Sequence, residues 1–515
     1  MDNKKLGGKK SYTLEAVSFS LVANMFGKFV SIPAGIYIAS QLGPSGFGLV
    51  AIVNLLLQYI GYLNLGMLGN LTREVPIAYG KKDIKEVERV YNTVFTNYVI
   101  TSLFSIIFLW VIYSVGFTYK GILNVNIILA ITMIKFSAVF NSFLHAYVKG
   151  EGKFKIYGKN EYIIRIGGPL LNVIFVYMYD LYGMFIGMSI TNIVSAVYVW
   201  RQLGKPSVRF RVDLPKTKKL MSTGLPMYFN QLIDSVFIST GVLVGSLFLS
   251  TSEIGILSYA LVIASTTKIP FANILTMSIR RDMGIIAGEK GLLDRTIFRK
   301  YFGQPLVLYS LLTTILIGWL IIIYSAAVEM FLAEFRQAIP LMVILFPSIV
   351  LYNLRNFIYA YINVTKQMKN RSMILLFGVV LNVFLVYLYQ RLGFGSQGVA
   401  YSILISFTVV SITALLFALG QMYQNGFDKY VIIAKYCAIA IVAIVGIEFT
   451  LKYQLLTSIF TEYHIGYILD TITRILIFSF IAIVPYILFF REHKILAELL
   501  SITIHIKNKL FNKLS

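Results

Sequence analysis

LNVIFVYMY at Leu171–Tyr179 returns as LNVFLVYLY at Leu381–Tyr389. FLHAY at Phe143–Tyr147 precedes the first copy, and FIYAY at Phe357–Tyr361 precedes the second. A short basic loop separates the members of each pair, and a Gly-rich turn with Gly183 or Gly393 follows each LNV segment. Farther out, Gly48 in FGLVAI pairs with Gly255 in IGILSYA, and Arg73 with Arg280. Two hydrophobic halves running in the same direction are the pattern of transporters built from parallel repeats, with substrate held between them.

The composition agrees with membrane halves. Of 515 residues, 57% are hydrophobic and 13% charged, where a soluble chain would carry about 25% charged residues. A helix of about 20 apolar residues crosses the hydrocarbon core. Fourteen such stretches are expected, at 14–38, 46–70, 91–115, 122–148, 161–179, 183–200, 223–248, 254–279, 301–324, 338–363, 372–389, 395–420, 432–450 and 466–490. The fold class is therefore an all-α integral membrane protein, with two six-helix bundles as parallel repeats and two C-terminal helices. The first bundle covers 1–200 and a basic linker 201–222. The second bundle covers 223–420, and the extra helices with a basic tail cover 421–515.

The net charge of +23 would fit nucleic acid, but its placement argues for topology. With fourteen spans, 36 of the 46 Lys and Arg fall in every second loop or in the termini. The intervening loops hold only Lys120, Arg336, Arg391 and Lys452. That asymmetry is the positive-inside rule. It puts both termini in the cytoplasm and leaves membrane lipids, not nucleic acid, as the partner of the basic loops. KKDIKEVERV at Lys81–Val90 and EKGLLDRTIFRK at Glu289–Lys300 read as short amphipathic helices on the inner leaflet. The single cysteine, Cys437, permits neither an intrachain disulfide nor a cysteine-based metal site. No metal site and no cofactor are expected.

Charged residues deep in a span are functional candidates, because burying them is expensive unless they are paired or hydrated. Lys28, Lys135 and Lys268 fall mid-span and Arg355 in the inner half of its span. Together they read as a cationic cavity for an anionic ligand, whose phosphate oxygens would accept charge-assisted hydrogen bonds. Asp234 and Lys28 occupy nearly equivalent places on the first helix of each half. They are either a gating pair or a structural ion pair. Arg165, near the inner end of its span, can snorkel, and His145 is placed to titrate near neutral pH. Asp470 and Arg474, one turn apart near the outer end of the last span, should pair with each other. Asn172 and Asn382 recur in both halves and suit interhelical hydrogen bonds.

The sequence lacks HExxH, P-loop and EF-hand patterns and the GxSxG elbow, so an enzyme is not expected. LGPSGFGLVAI at Leu42–Ile52, YLNLGMLGNLTREV at Tyr62–Val75, the KKDIKEVERVY stretch and the YVKGEGKFKIYGKN loop resemble the Wzx-type polysaccharide flippases. These form the polysaccharide transporter family of the multidrug/oligosaccharidyl-lipid/polysaccharide (MOP) exporter superfamily. The resemblance covers the whole chain in span number and order. It implies two six-helix bundles around a central cavity in a bacterial cytoplasmic membrane. It also implies inner-to-outer movement of undecaprenyl-diphosphate-linked oligosaccharides. Polysaccharide polymerase and export machinery are then the expected partners, and a monomer the expected state. One departure matters: the family often has Asp before Leu-Gly in the second span, where this chain has Asn64, and this puts an ion-coupling acid there in doubt. A drug exporter of the same superfamily would favour acids at mid-membrane. A lipid II flippase and a membrane polymerase or ligase complete the rival readings, the last lacking the outer loop its chemistry would need.

Overall fold

The computed structural model describes residues 3–116, 124–204, 208–266, 304–364, 368–422, 426–452 and 464–489. Among them regular structure is helical throughout. In chain order the helices are α1 (Asn3–Gly61), α2 (Gly69–Gly80), α3 (Ile84–Ser114), α4 (Val125–Gly150), α5 (Phe154–Tyr162), α6 (Gly168–Gln202), α7 (Leu214–Gly245) and α8 (Thr251–Thr266). Then come α9 (Gln304–Phe331), α10 (Ala338–Val364), α11 (Met368–Arg391), α12 (Gly395–Met422), α13 (Gly426–Lys452) and α14 (His464–Phe489).

Ten described segments are long and apolar enough to cross a membrane. Two of these are long enough to cross twice. Phe26–Gly80 turns at Gly43, whose φ of 62° breaks the helical run just before Pro44. Phe154–Gln202 turns at Tyr179 and Asp180. The α6 turn is so tight that a Cβ on Gly183 would sit 1.8 Å from the Phe175 carbonyl oxygen, so only glycine fits. Its repeat counterpart Gly393 serves differently, with φ +78°. The turn at Gly43 places the end of the first crossing a few residues later than the apolar run alone indicates.

The chain divides into two compact units, Met1–Ser239 with Leu249–Ser258, and Thr240–Phe248 with Tyr259–Ser515. In the first unit α4 packs on α6, α1 on α5 and α6, and α2 on α3 and α4. There α8 crosses the second limb of α1 through the paired glycines. A Cβ on Gly48 would lie 1.9 Å from the Thr251 oxygen, and one on Gly255 1.8 Å from the Pro44 oxygen. The repeat equivalence of these two residues therefore has a steric cause: each backbone is the other's neighbour. In the second unit α10 and α11 pack on α12, and α9 packs on α10 and α14.

The Lys81–Val90 stretch corrects the expectation of a separate surface helix. Asp83 caps α3 by accepting the Glu86 N–H at 2.9 Å, and α3 then runs unbroken to Ser114. An N-cap carboxylate satisfies an otherwise orphaned donor, so the charged turn and the apolar span become one helix. The Glu289–Lys300 segment lies outside the described residues. The extended linker is fastened to α3. Asn92 and Thr96 accept the Arg209 and Arg211 backbone N–H groups, both at 2.8 Å. Arg89 grips Asp213 with two hydrogen bonds of 2.6 and 3.1 Å, and Lys216 pairs with Glu86 at 2.5 Å.

Candidate functional site

The core of the first unit is split. One apolar cluster holds Val50, Val53, Ile60, Leu109, Ile127, Ile131, Ile134 and Phe185. Another holds Met67, Leu71, Val90, Val94, Phe143, Leu144, Ala196 and Val199. Every helix that contributes to both changes character between them. On α4 the buried face passes from Ile134 through Lys135, Ser137 and Asn141 to Phe143. On α6 it passes from Phe185 through Ser189, Thr191 and Ser195 to Ala196. On α3, Ser102 and Ser105 lie between Val94 and Leu109. A polar belt thus crosses the unit between the two apolar clusters. At 1.5 Å per residue, Lys135 lies about 15 Å from the outer end of α4.

Most of the belt is satisfied internally, as buried polar groups in a membrane must be. Asn141 donates to Asn192 Oδ1 at 3.0 Å, and Ser195 donates to Asn141 Oδ1 at 2.7 Å. Asn160 donates to Ser195 Oγ at 2.9 Å, and its amide lies 2.5 Å from His145 Nε2. Asn64 Oδ1 accepts from Thr101 at 3.1 Å and from Ser102 at 3.3 Å. Lys135 differs. It is 7% exposed and makes no hydrogen bond or ion pair with any described residue.

The other candidates are placed as follows. Lys28 is half-buried, about 22 Å inward of the Gly43 turn by helical rise. Its neighbour Gly27 touches the π-helical turn Ile163–Gly167; a Cβ there would meet Arg165 Cβ at 2.7 Å. The structure so brings α1 beside Arg165 at the inner third of the unit. Arg165 is ion-paired with the buried Glu161. Single π turns are frequent at functional sites. His145 stacks edge-on against Tyr157, over whose ring Lys149 also lies. Asp234 is half-buried on α7, about 16 Å from that helix's outer end. Lys268 lies outside the described residues.

Arg355 belongs to the second unit and is fully buried. Its guanidinium carbon lies 4.7 Å from the ring centre of Tyr352, 5.1 Å from Tyr359 and 5.9 Å from Phe407. Asp470 and Arg474 pair at 2.7 Å, as the one-turn spacing requires, but both are buried rather than interfacial.

Sequence reasoning did not single out the amide and hydroxyl belt, Glu161 or Arg371. A signal exists for the belt: Ser137 and Asn141 recur at i, i+4, as do Gly187, Thr191 and Ser195, which puts each set on one helix face.

A further break lies at the junction of α1 and α2. A 3-10 turn at Tyr62–Asn64 leads into Leu65, at φ 50°, and Gly66, at φ +68°. Tyr228 of α7 donates to the Tyr62 carbonyl at 2.5 Å. Its ring covers Gly66, where a Cβ would come within 2.7 Å of it. A carbonyl freed by a broken helix needs such a donor within a membrane.

Comparison with known proteins gives the same architecture. No curated protein matches the sequence. Among solved structures, the lipid II flippase MurJ in an inward closed conformation is similar with a TM-score of 0.65 at 14% identity, covering 92% of this chain and 99% of that one. An inward-facing multidrug resistance MATE family transporter of the MOP superfamily is similar with a TM-score of 0.64 at 16% identity, covering 79% of this chain and 98% of that one. A MOP superfamily transporter from Pyrococcus furiosus gives 0.55 at 17% identity, covering 79% and 95%. Residues 13–279 match the family described as polysaccharide biosynthesis protein. A polar belt buried between apolar clusters, in a chain of paired membrane helices with the MOP transporter fold, therefore belongs to a member of the polysaccharide biosynthesis protein family.

Proposed function

We propose that this chain is a flippase that carries undecaprenyl-diphosphate-linked oligosaccharide from the inner to the outer leaflet of the bacterial cytoplasmic membrane. The observation that carries the reading is Lys135. A buried ammonium without a carboxylate is costly, and a bound diphosphate removes the cost. Lys28, Arg165, Lys268 and Arg355 are the further cations of the route, and Asp234 is the acid that competes with the ligand for Lys28. Movement is by alternating access. The helix break at Tyr62–Gly66 and the glycine crossing at Gly48 and Gly255 are the places where backbones can separate without side chains in the way.

The apolar half of the cargo also has a counterpart. A groove of about 390 Å³ in the second unit is lined almost wholly by apolar side chains, among them Pro347, Leu354, Leu404, Ile412, Tyr436 and Ile441. An isoprenyl chain suits it, since burying one there leaves few polar groups of the lining without water.

Reconstitution into vesicles with the lipid-linked oligosaccharide of the host, with outer-leaflet sugar followed by lectin access, tests the proposal. Wild type should move the sugar, and Lys135→Ala and Lys28→Ala should each slow it at least about tenfold, equivalent to about 1.4 kcal/mol. Wild type that fails with and without a potential and ion gradients, yet expels cationic dyes, would make it a drug exporter.

A further inference from the structure

The second limb of α1 carries a polar stripe that neither the apolar core nor the cation route uses. Val50, Val53 and Ile60 turn into the apolar cluster. Asn54, Gln58 and Tyr62 recur at i, i+4 spacing, which sets them along one side of the helix, away from that cluster. Asn54 is exposed and makes no hydrogen bond with any described residue. Gln58 donates one N–H to the Tyr62 hydroxyl at 2.5 Å, and its carbonyl oxygen accepts from no described residue. The Tyr59 hydroxyl lies 2.9 Å from Ser239 Oγ of α7. Its ring meets that of Tyr62 edge-on, with the ring centres 5.4 Å apart.

Asn54 lies about 16 Å from the Gly43 turn by helical rise, well inside an apolar segment. An amide held against hydrocarbon without a partner is costly, so the stripe opens on water or on a ligand. Helix packing does not demand it. Counted from the paired Gly48 and Gly255, Asn54 falls opposite Leu261 and Gln58 opposite Ser265, so the equivalent helix is built with neither amide. No charged residue occurs between Phe47 and Tyr62. An anion finds no countercharge on this stripe, whereas a neutral polyol finds partners. A sugar ring presents apolar C–H faces and an edge of hydroxyls. An aromatic face covers the first, and an amide, donor and acceptor at once, binds the second. In a cargo whose first sugar is bonded to the diphosphate, the two subsites must be close in depth. Gln58 stands as many residues from the Gly43 turn as Lys28 does on the other limb.

We infer that Asn54, Gln58 and Tyr59 form a sugar subsite, in which the Tyr59 ring lies on a pyranose face and the two amides bind its hydroxyls. Tyr62 and Ser239 are positioning residues: the first holds the Gln58 amide, and the second holds the Tyr59 ring. The inference rests on the flippase reading for its cargo, and it deepens that reading by giving the carbohydrate residues of its own.

Direct binding to the purified full-length protein tests the subsite without requiring transport. Two probes are compared: the host's undecaprenyl-diphosphate-linked oligosaccharide, and undecaprenyl diphosphate alone. Wild type should bind the first more tightly. Asn54→Leu and Gln58→Leu should each weaken it about fivefold, the loss of a net hydrogen bond, and the double variant at least about tenfold. Tyr59→Leu should weaken it as well, while Tyr59→Phe, which keeps the ring, should bind close to wild type. None of these changes should alter the affinity for undecaprenyl diphosphate. Melting curves report folding, and if the double variant does not fold, Asn54→Leu at its exposed position carries the test. Equal binding of the two probes by wild type overturns the subsite. So does a folded double variant that keeps wild-type affinity for the sugared probe, or that loses affinity for both probes in equal measure. Vesicle assays separate the two claims. A wild type that flips both lipids with equal affinity and rate sinks the subsite alone. A wild type that discriminates the probes through this stripe but moves neither sinks the flippase reading and leaves the subsite standing.

Discussion

The inner ends of α4–α6 and of α10–α12 are copies of one sequence pattern that solve the same electrostatic problem in opposite ways. In the first, a buried carboxylate does the work. Glu161 pairs with Arg165, and nearby Glu151 accepts from Tyr79 at 2.8 Å and Tyr91 at 2.7 Å. In the second, α10–α12 themselves contain no acidic residue, and the ring centres of Tyr352, Tyr359 and Phe407 lie 4.7, 5.1 and 5.9 Å from the Arg355 guanidinium. The LNV helix keeps its asparagine in both repeats while several of its apolar positions interchange. Asn382 still donates to Ser406 at 2.7 Å, while the Asn172 side chain lies against Gly187. Duplicated helices keep their packing because packing is set by shape. Their charges are free to diverge, because a few positions per helix decide them.

Importing the second solution into the first repeat should have the largest effect. Glu161→Arg sets a new cation among Arg165, Lys149 and His145 in place of their buried acid. A loss of about 3–5 kcal/mol is expected, seen as a collapse of the folded fraction in thermal size-exclusion runs. A melting point equal to wild type would show that the carboxylate is not what separates the two repeats.

Lys135→Met should act in the other direction on stability. Replacing a buried, unpaired ammonium by an apolar chain of similar length is expected to stabilise by about 1–3 kcal/mol while transport is lost. A variant that melts lower would mean that Lys135 supports the belt instead of waiting for a ligand.

The smallest effect concerns the linker. Asp213 is held below the usual carboxylate range by the Arg89 guanidinium first and by the Lys216 backbone N–H next. Since the folded value is the lower one, the attachment contributes fully above about pH 4. It is lost as pH falls through the folded value. Amide protection over residues 208–217 should hold at about pH 6 and drop at about pH 3. Asp213→Asn should abolish that step, and an unchanged step would assign it to another group.

Much of this was legible in the chain. Hydrophobic run lengths and the alternation of basic loops require many spans with a defined orientation, because lipid tolerates few unpaired charges. The Asp470 and Arg474 pair follows from one-turn spacing. The pairing of Gly48 with Gly255 was visible as a repeat, but not as a contact. The belt was hidden because serine and asparagine are unremarkable one at a time. Only when α3, α4 and α6 are packed do their polar residues fall at one depth.

The sequence by itself determined the helical membrane class, the topology and the repeat, since each follows from local composition and the bilayer's thickness. Tertiary structure alone decided which cations meet carboxylates, which meet rings and which meet neither. Those outcomes depend on side chains brought together from distant parts of the chain, and Coulomb and cation–π energies fall off within a few ångströms.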